Sequence, residues 1–156
     1  MTDVRVVDYG PQWRDDFARL NLEWLERWFS VEPIDEAVLG DPETHILDDG
    51  GLILMAVTDD DTAIGTVALK HHGDGVYELT KMAVEPGHRG SGIGRALLVA
   101  AIDCYRTLDG NRLFLESNAK LETALRMYES GGFQHRPAPP SPYARADVYM
   151  EWSPEP

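Results

Sequence analysis

The stretch that most constrains this 156-residue chain runs from residue 79 to residue 102. Mostly apolar sequence of extended character, ending in Met82-Ala83-Val84, enters Glu85-Pro86-Gly87-His88-Arg89-Gly90-Ser91-Gly92-Ile93-Gly94-Arg95. Ala96-Leu97-Leu98-Val99-Ala100-Ala101-Ile102 then leaves with helical periodicity. This order predicts a strand, a loop and a helix. A helix N-terminus carries unpaired N–H groups and the positive end of the dipole, so it attracts anions. Gly90, Gly92 and Gly94 have no Cβ to keep a phosphate away from that backbone. No Asp or Glu lies between Glu85 and Asp103, where His88, Arg89 and Arg95 stand, although the formal net charge is −13. A locally basic window in an acidic chain points to an anionic ligand, with a plain glycine-rich turn as the alternative. Two familiar phosphate sites do not fit. Arg95 replaces the third glycine of a dinucleotide fingerprint, and no Gly-Lys-Ser/Thr follows for a P-loop.

The length is that of one ordinary domain, 1–156, and 43% hydrophobic content is enough for a buried core. Fourteen Lys plus Arg against 27 Asp plus Glu argue against nucleic-acid or anionic-membrane partners. The same excess suits a cationic second substrate, or simply keeps the surface soluble. The lone Cys104 cannot form an internal disulfide, and its place on the apolar face of the helix after Gly94 assigns it to packing. The N-terminus lacks the basic start and apolar run of a signal peptide, and no apolar run approaches the roughly 18 residues of a membrane span. A cytoplasmic protein is expected.

Along the chain, residues 4–7 suit a first strand and Pro11 the first turn of a helix. Trp13, Phe17, Leu20, Trp24, Leu25 and Trp28 recur at steps of three and four, predicting one core-facing stripe. A second short helix around Pro33 ends before Gly40-Asp41-Pro42. The apolar run 52–57, the turn Asp59-Asp60-Asp61-Thr62 and the run 63–69 predict a hairpin, and the aspartates lack calcium-loop spacing. His71-His72-Gly73-Asp74-Gly75 reads as another turn before a strand at 76–84. Adjacent histidines on a strand face opposite ways, so no metal is expected there. After a helix with Ile93, Leu97, Ala101, Cys104, Tyr105 and Leu108 on its apolar face come a strand at 112–116 and a helix carrying Leu121, Ala124, Leu125 and Tyr128. Strands at 133–136 and 147–152 flank Pro137-Ala138-Pro139-Pro140-Ser141-Pro142, which is expected to fold over one side of the sheet.

Two segments carry a resemblance. Arg89-Gly90-Ser91-Gly92-Ile93-Gly94, between Met82-Ala83-Val84 and Arg95-Ala96-Leu97-Leu98, resembles the acyl-CoA-binding segment of the GNAT superfamily of N-acetyltransferases. Leu113-Phe114-Leu115-Glu116-Ser117-Asn118 with Ala124-Leu125-Arg126-Met127-Tyr128-Glu129-Ser130-Gly131-Gly132-Phe133 resembles that family's later strand, tyrosine-bearing helix and glycine-phenylalanine exit. Both stand in the family's order, and the likeness covers nearly the whole chain. It implies an α/β fold with a mixed, mostly antiparallel sheet of about six or seven strands flanked by about four helices.

The resemblance further implies direct transfer of the acetyl group of acetyl-CoA to an amine in a ternary complex, without metal. Met82, Ala83, Val84, Arg89, Gly90, Ser91, Gly92, Ile93, Gly94 and Arg95 would hold the coenzyme. Asn118 is a further coenzyme contact whose spacing departs from the family pattern, with Leu121 where asparagine often stands. The oxyanion donor would be a backbone amide around Ala83 or Val84. A lysine-like amine, with a reference pKa of about 10.4, needs a base. Glu78 stands at the family's position for one, or is an exposed strand glutamate. Tyr128 stands at the position of the general acid for the leaving thiolate, or completes an apolar helix face. Trp24, Trp28, Glu32, Asp35, Tyr143 and Arg145 would border the acceptor, the acids favouring an amine and Arg145 an acceptor bearing a carboxylate. Longer acyl groups, a non-catalytic acyl-CoA sensor and a homodimer paired through a sheet edge stay open.

Overall fold

The computed structural model describes residues 3–154. Its framework is a seven-stranded sheet in the order β1-β2-β3-β4-β5-β7-β6. The strands are β1 (Val4–Asp8), β2 (Leu52–Thr58), β3 (Ala63–His71), β4 (Val76–Val84), β5 (Arg112–Ser117), β6 (Phe133–Arg136) and β7 (Val148–Trp152). Among the described residues four α-helices accompany it: α1 (Arg14–Trp28), α2 (Pro33–Gly40), α3 (Ile93–Thr107) and α4 (Glu122–Ser130). β4 and β5 run parallel, while every other neighbouring pair is antiparallel. The mixed, mostly antiparallel sheet is the one expected.

The sheet separates two cores. Ile53, Met55 and Val57 of β2 join Phe17, Leu20 and Leu25 of α1 and Val38 and Leu39 of α2. Leu54 and Ala56, pointing the other way, join Leu97, Leu98 and Ala101 of α3. A strand covered on both faces has no polar face to keep, which is why 52–57 reads as an unbroken apolar run. Gly65 lets α3 come close, since a Cβ there would stand 3.1 Å from Leu97 Cδ1. Between α2 and β2, where no element is signalled after Gly40-Asp41-Pro42, a π-helical turn spans Glu43–Leu47 and buries Ile46 completely.

The site is positioned by one local failure of pairing. β4 and β5 pair only through Val76↔Arg112, Tyr77↔Leu113 and Glu78↔Phe114. Beyond these the strands diverge into a V. On its other edge β4 carries a bulge: the register with β3 shifts between Thr66 and Ala68, leaving Lys81 and Met82 opposite Val67. A bulge bends its strand and re-aims the side chains beyond it. Lys81 takes the left-handed conformation, φ 54°, which costs a non-glycine residue about 1–2 kcal/mol. Its side chain is 5% exposed and its ammonium is ion-paired at 3.1 Å with the wholly buried Asp35 of α2, an interaction that holds the bulge in place.

The stripe on α1 divides at the same place. Trp13, Phe17, Leu20 and Leu25 are buried as expected, but Trp24 is only partly covered and Trp28 is 39% exposed. The end of α1 overhangs the opening of the V, where no continuous sheet lies beneath it, so both tryptophans border the cleft instead of the core.

Candidate active site

The segment between β4 and α3 forms the floor of an open groove of about 780 Å³. Gly90 and Gly92 are left-handed, φ 82° and 86°, and beyond the adjoining residues of the chain no heavy atom lies within 4 Å of the place a Cβ would occupy on either. Both backbones therefore face open space. Gly92 precedes the first turn of α3 without a side-chain cap, so the helix's first N–H groups point to the groove. Arg89 lines it, with Nε donating to the Val84 carbonyl at 3.1 Å. Partial burial and the nearby Arg27 guanidinium lower the Arg89 pKa from its ordinary value. Arg95 lies at the opposite lip and donates to Ser130 Oγ of α4 at 2.9 Å. A Cβ on Gly94 would stand 3.5 Å from Met127 Sδ. Ser91 is exposed and donates to the His88 carbonyl, whereas Ile93 is 7% exposed and anchors the helix in the core beneath.

Met82, Ala83 and Val84 form the wall of the groove. The Glu85 N–H donates to the Ile64 carbonyl at 2.8 Å. Antiparallel alternation then turns Ala83, opposite Thr66, towards β3. It turns the N–H and C=O of Val84 towards the open side, where the carbonyl takes Arg89. Of the two amides singled out as oxyanion donors, that of Val84 is directed to the cleft.

A smaller pocket of about 100 Å³ lies deeper in the V and shares Trp24, Met82, Leu121 and Tyr128 with the groove. Burial pushes the Tyr128 hydroxyl up to about 12, and its ring meets Phe133 edge-on at 6.1 Å. Glu78, the last paired residue at the apex, is 7% exposed rather than the exposed strand glutamate of the alternative reading. Its Oε1 lies 2.9 Å from Nε2 of His72, a ring that is itself half-exposed. Glu116 of β5 also lines the pocket. Burial raises its pKa and the Glu78 charge adds to the rise, opposed by a hydrogen bond from the Ser141 hydroxyl.

Glu116, Lys81 and Ser141 were not singled out from the sequence, and the pair His71-His72 was read as a turn of which one member could line a cleft. One signal was available for Glu116: it lies two residues beyond Phe114, the partner of Glu78, and residues two apart on a strand share a face. For Lys81 the bulge leaves no local mark.

The segment between β6 and β7 is drawn over the pocket by charge. Asp35 accepts Arg145 through both oxygens, Nη2 to Oδ1 and Nη1 to Oδ2 at 2.8 Å each, together with Lys81 and the Glu32 N–H. Burial alone would raise the Asp35 pKa, but Arg145, the Glu32 amide and Lys81 outweigh it and hold it at about 2. Glu32 accepts Arg145 Nη1 at 3.0 Å and the Ala144 N–H at 3.0 Å. Tyr143 accepts Lys81 Nζ at 3.0 Å and lies under both cations, 4.8 Å from Lys81 and 4.6 Å from Arg145. Glu32, Asp35 and Arg145, expected to border an acceptor, are thus bound first to one another. Asn118 lines the same pocket, and its Nδ2 donates to the Arg145 carbonyl at 2.8 Å while its Oδ1 takes the Lys120 N–H at 2.9 Å. Its amide pins the covering segment from the β5 side.

Among the described residues, no group of three or more His, Cys, Asp and Glu side chains gathers to hold a metal ion, and no helix is long and apolar enough to cross a membrane.

Comparison with known proteins agrees with this geometry. An uncharacterized N-acetyltransferase of Schizosaccharomyces pombe is 29% identical over 148 residues, 88% of this chain and 90% of the relative. A GNAT-family acetyltransferase of Staphylococcus aureus shares the fold with a TM-score of 0.86 at 20% identity, over 96% of this chain and 98% of that one. PaiA N-acetyltransferase of Thermoplasma acidophilum, solved in complex with coenzyme A, shares it with a TM-score of 0.72 at 18% identity, over 96% and 98%. Residues 8–133 match the model of the acetyltransferase (GNAT) family, so this chain belongs to that family of acyl-CoA-dependent acyltransferases.

Proposed function

We propose that the chain acts as a single catalytic unit that transfers the acetyl group of acetyl-CoA directly to the amine of a small molecule or peptide. The observation that carries this is the meeting of groove and pocket at Trp24, Met82, Leu121 and Tyr128, with a buried carboxylate at the apex of the V. Such a junction brings a thioester and an amine together while each keeps its own binding surface.

In this reading the coenzyme's pyrophosphate lies on the glycine loop and the start of α3, with Arg89 and Arg95 beside it. The amine enters the pocket as an ammonium, because its reference pKa of about 10.4 lies well above neutrality. Glu78 takes one proton, and the freed nitrogen pair attacks the thioester carbonyl carbon. The Val84 N–H, directed to the open side of β4, donates to the oxygen as it becomes negative. As the tetrahedral intermediate collapses, the carbon–sulfur bond breaks, its electron pair leaves with sulfur, and the surplus proton on nitrogen passes to water, leaving a neutral amide. Tyr128 then donates to that sulfur. Held at about 12, its hydroxyl stays protonated throughout the working range. A thiol is near 8.5, so the thiolate is the weaker base and Tyr128 stabilises it through a hydrogen bond more than by complete proton transfer.

The test is thiol release from acetyl-CoA against a panel of amines, for the wild type and Glu78→Gln. Acceptor-dependent release, reduced by about a hundredfold in the variant, supports the assignment. Undiminished release by Glu78→Gln removes Glu78 from the chemistry, and no release with any amine removes the transferase reading.

A further inference from the structure

Resting on the transferase reading above, the geometry points to an acceptor that is a compact amine cation carrying no carboxylate, with Glu116 as a residue that selects it. The charges around the small pocket divide into two groups. Lys81 and Arg145 are its cations, and both are already paired: Arg145 with Asp35 and Glu32, Lys81 with Asp35. Two carboxylates and two cations there balance one another. Glu78 and Glu116 remain. Among the described residues neither is paired with a lysine or arginine; Glu78 is held by the His72 ring and Glu116 by the Ser141 hydroxyl. The charge left facing the pocket is therefore negative.

This bears directly on the choice between an amine and an amino acid. A carboxylate on the acceptor could reach Arg145 only by displacing the two-pronged bond to a wholly buried Asp35, leaving that aspartate without its main counter-charge. It would also stand beside Glu78 and Glu116, and like charges brought together at a partly buried site are strongly disfavoured. An ammonium meets the opposite situation: it supplies the counter-charge that Glu116 lacks. At about 100 Å³ the pocket admits one slim alkylammonium arm. Glu116, two residues up β5 from the apex, is placed to draw that arm in while Glu78 takes the proton.

Matched pairs differing only by the α-carboxylate test this: cadaverine against lysine, agmatine against arginine, tyramine against tyrosine. Turnover of each with acetyl-CoA is measured together with calorimetric binding to CoA-saturated protein, for the wild type and Glu116→Gln. The decarboxylated member should be favoured by about tenfold or more in kcat/KM. Glu116→Gln should shrink that ratio by raising KM for the amine more than it lowers kcat. Equal or better use of the amino acids overturns the inference, as does an unchanged ratio in Glu116→Gln. Preferential binding of the amines to the CoA complex without any turnover sustains the inference and overturns the transferase reading instead. No binding of any amine overturns the inference.

Discussion

The groove and the pocket meet at Tyr128, yet they are built from different materials. The groove is mainly backbone: two left-handed glycines, the uncapped start of α3, and an edge of β4 that lost its neighbour. The pocket is side chains drawn from residues as far apart in sequence as Asn21 and Arg145, backed by a cluster of charge that ties Arg145 to Glu32 and Asp35. A backbone site can be written in a dozen consecutive residues, and in the proposed function it recognises what all coenzyme A thioesters share. A side-chain site assembles only when the sheet has formed, and there a chain can adopt its own acceptor without disturbing the coenzyme.

Removing the centre of the charged cluster should break the pocket and leave the groove. Asp35→Ala strands Lys81 and Arg145 without their buried counter-charge, a loss of about 3–5 kcal/mol. In a chain of this size each kcal/mol lowers Tm by roughly 2–4 °C, so calorimetry should show a fall of about 10 °C while the folded protein still binds coenzyme A. Acid should reach the same bonds in the wild type. The folded pKa of Asp35 lies below its ordinary 3.8, at about 2, so its stabilisation is present above pH 4 and is lost as the pH falls from there towards 2. Asp35→Asn has no such carboxylate, and its acid unfolding should lack that part of the decline.

At the border between the two regions, Tyr128→Phe keeps the ring against Phe133 and removes only the donor to sulfur. Turnover should fall by about a hundredfold with both Kd values nearly unchanged. Weakened coenzyme binding would instead make Tyr128 a part of the groove. The smallest effect should come from the groove itself. Gly92→Val forces a β-branched residue to φ 86°, costing about 1–2 kcal/mol. Coenzyme A titration should show roughly tenfold weaker binding, and acid unfolding through Asp35 should be unaltered.

The same division separates what could be read from the sequence. The run 79–102 showed its strand, loop and helix because glycine conformation and helix periodicity are local, and β4 begins and ends where the apolar pattern does. Glu78 and Tyr128 were legible through the family resemblance, each standing at a position where the family carries a base or a general acid. The bulge at Lys81 was not, since a left-handed lysine is imposed by an ion pair to a residue 46 positions away. Arg145 was legible as a cleft residue but not as one already bound, because its partners Asp35 and Glu32 lie more than a hundred residues earlier. The tryptophan stripe shows the limit of periodicity. Trp28 shares a helix face with Leu25 and Phe17, and only the splaying of β4 from β5 decides that it borders a groove.

The measurement that tests the central claim most directly is initial-rate kinetics with acetyl-CoA and an amine acceptor varied together. If groove and pocket hold both reactants at once, double-reciprocal lines intersect, because a ternary complex precedes the chemistry. Parallel lines would mean that acetyl passes first to the protein, and the account of direct transfer at the junction would be wrong.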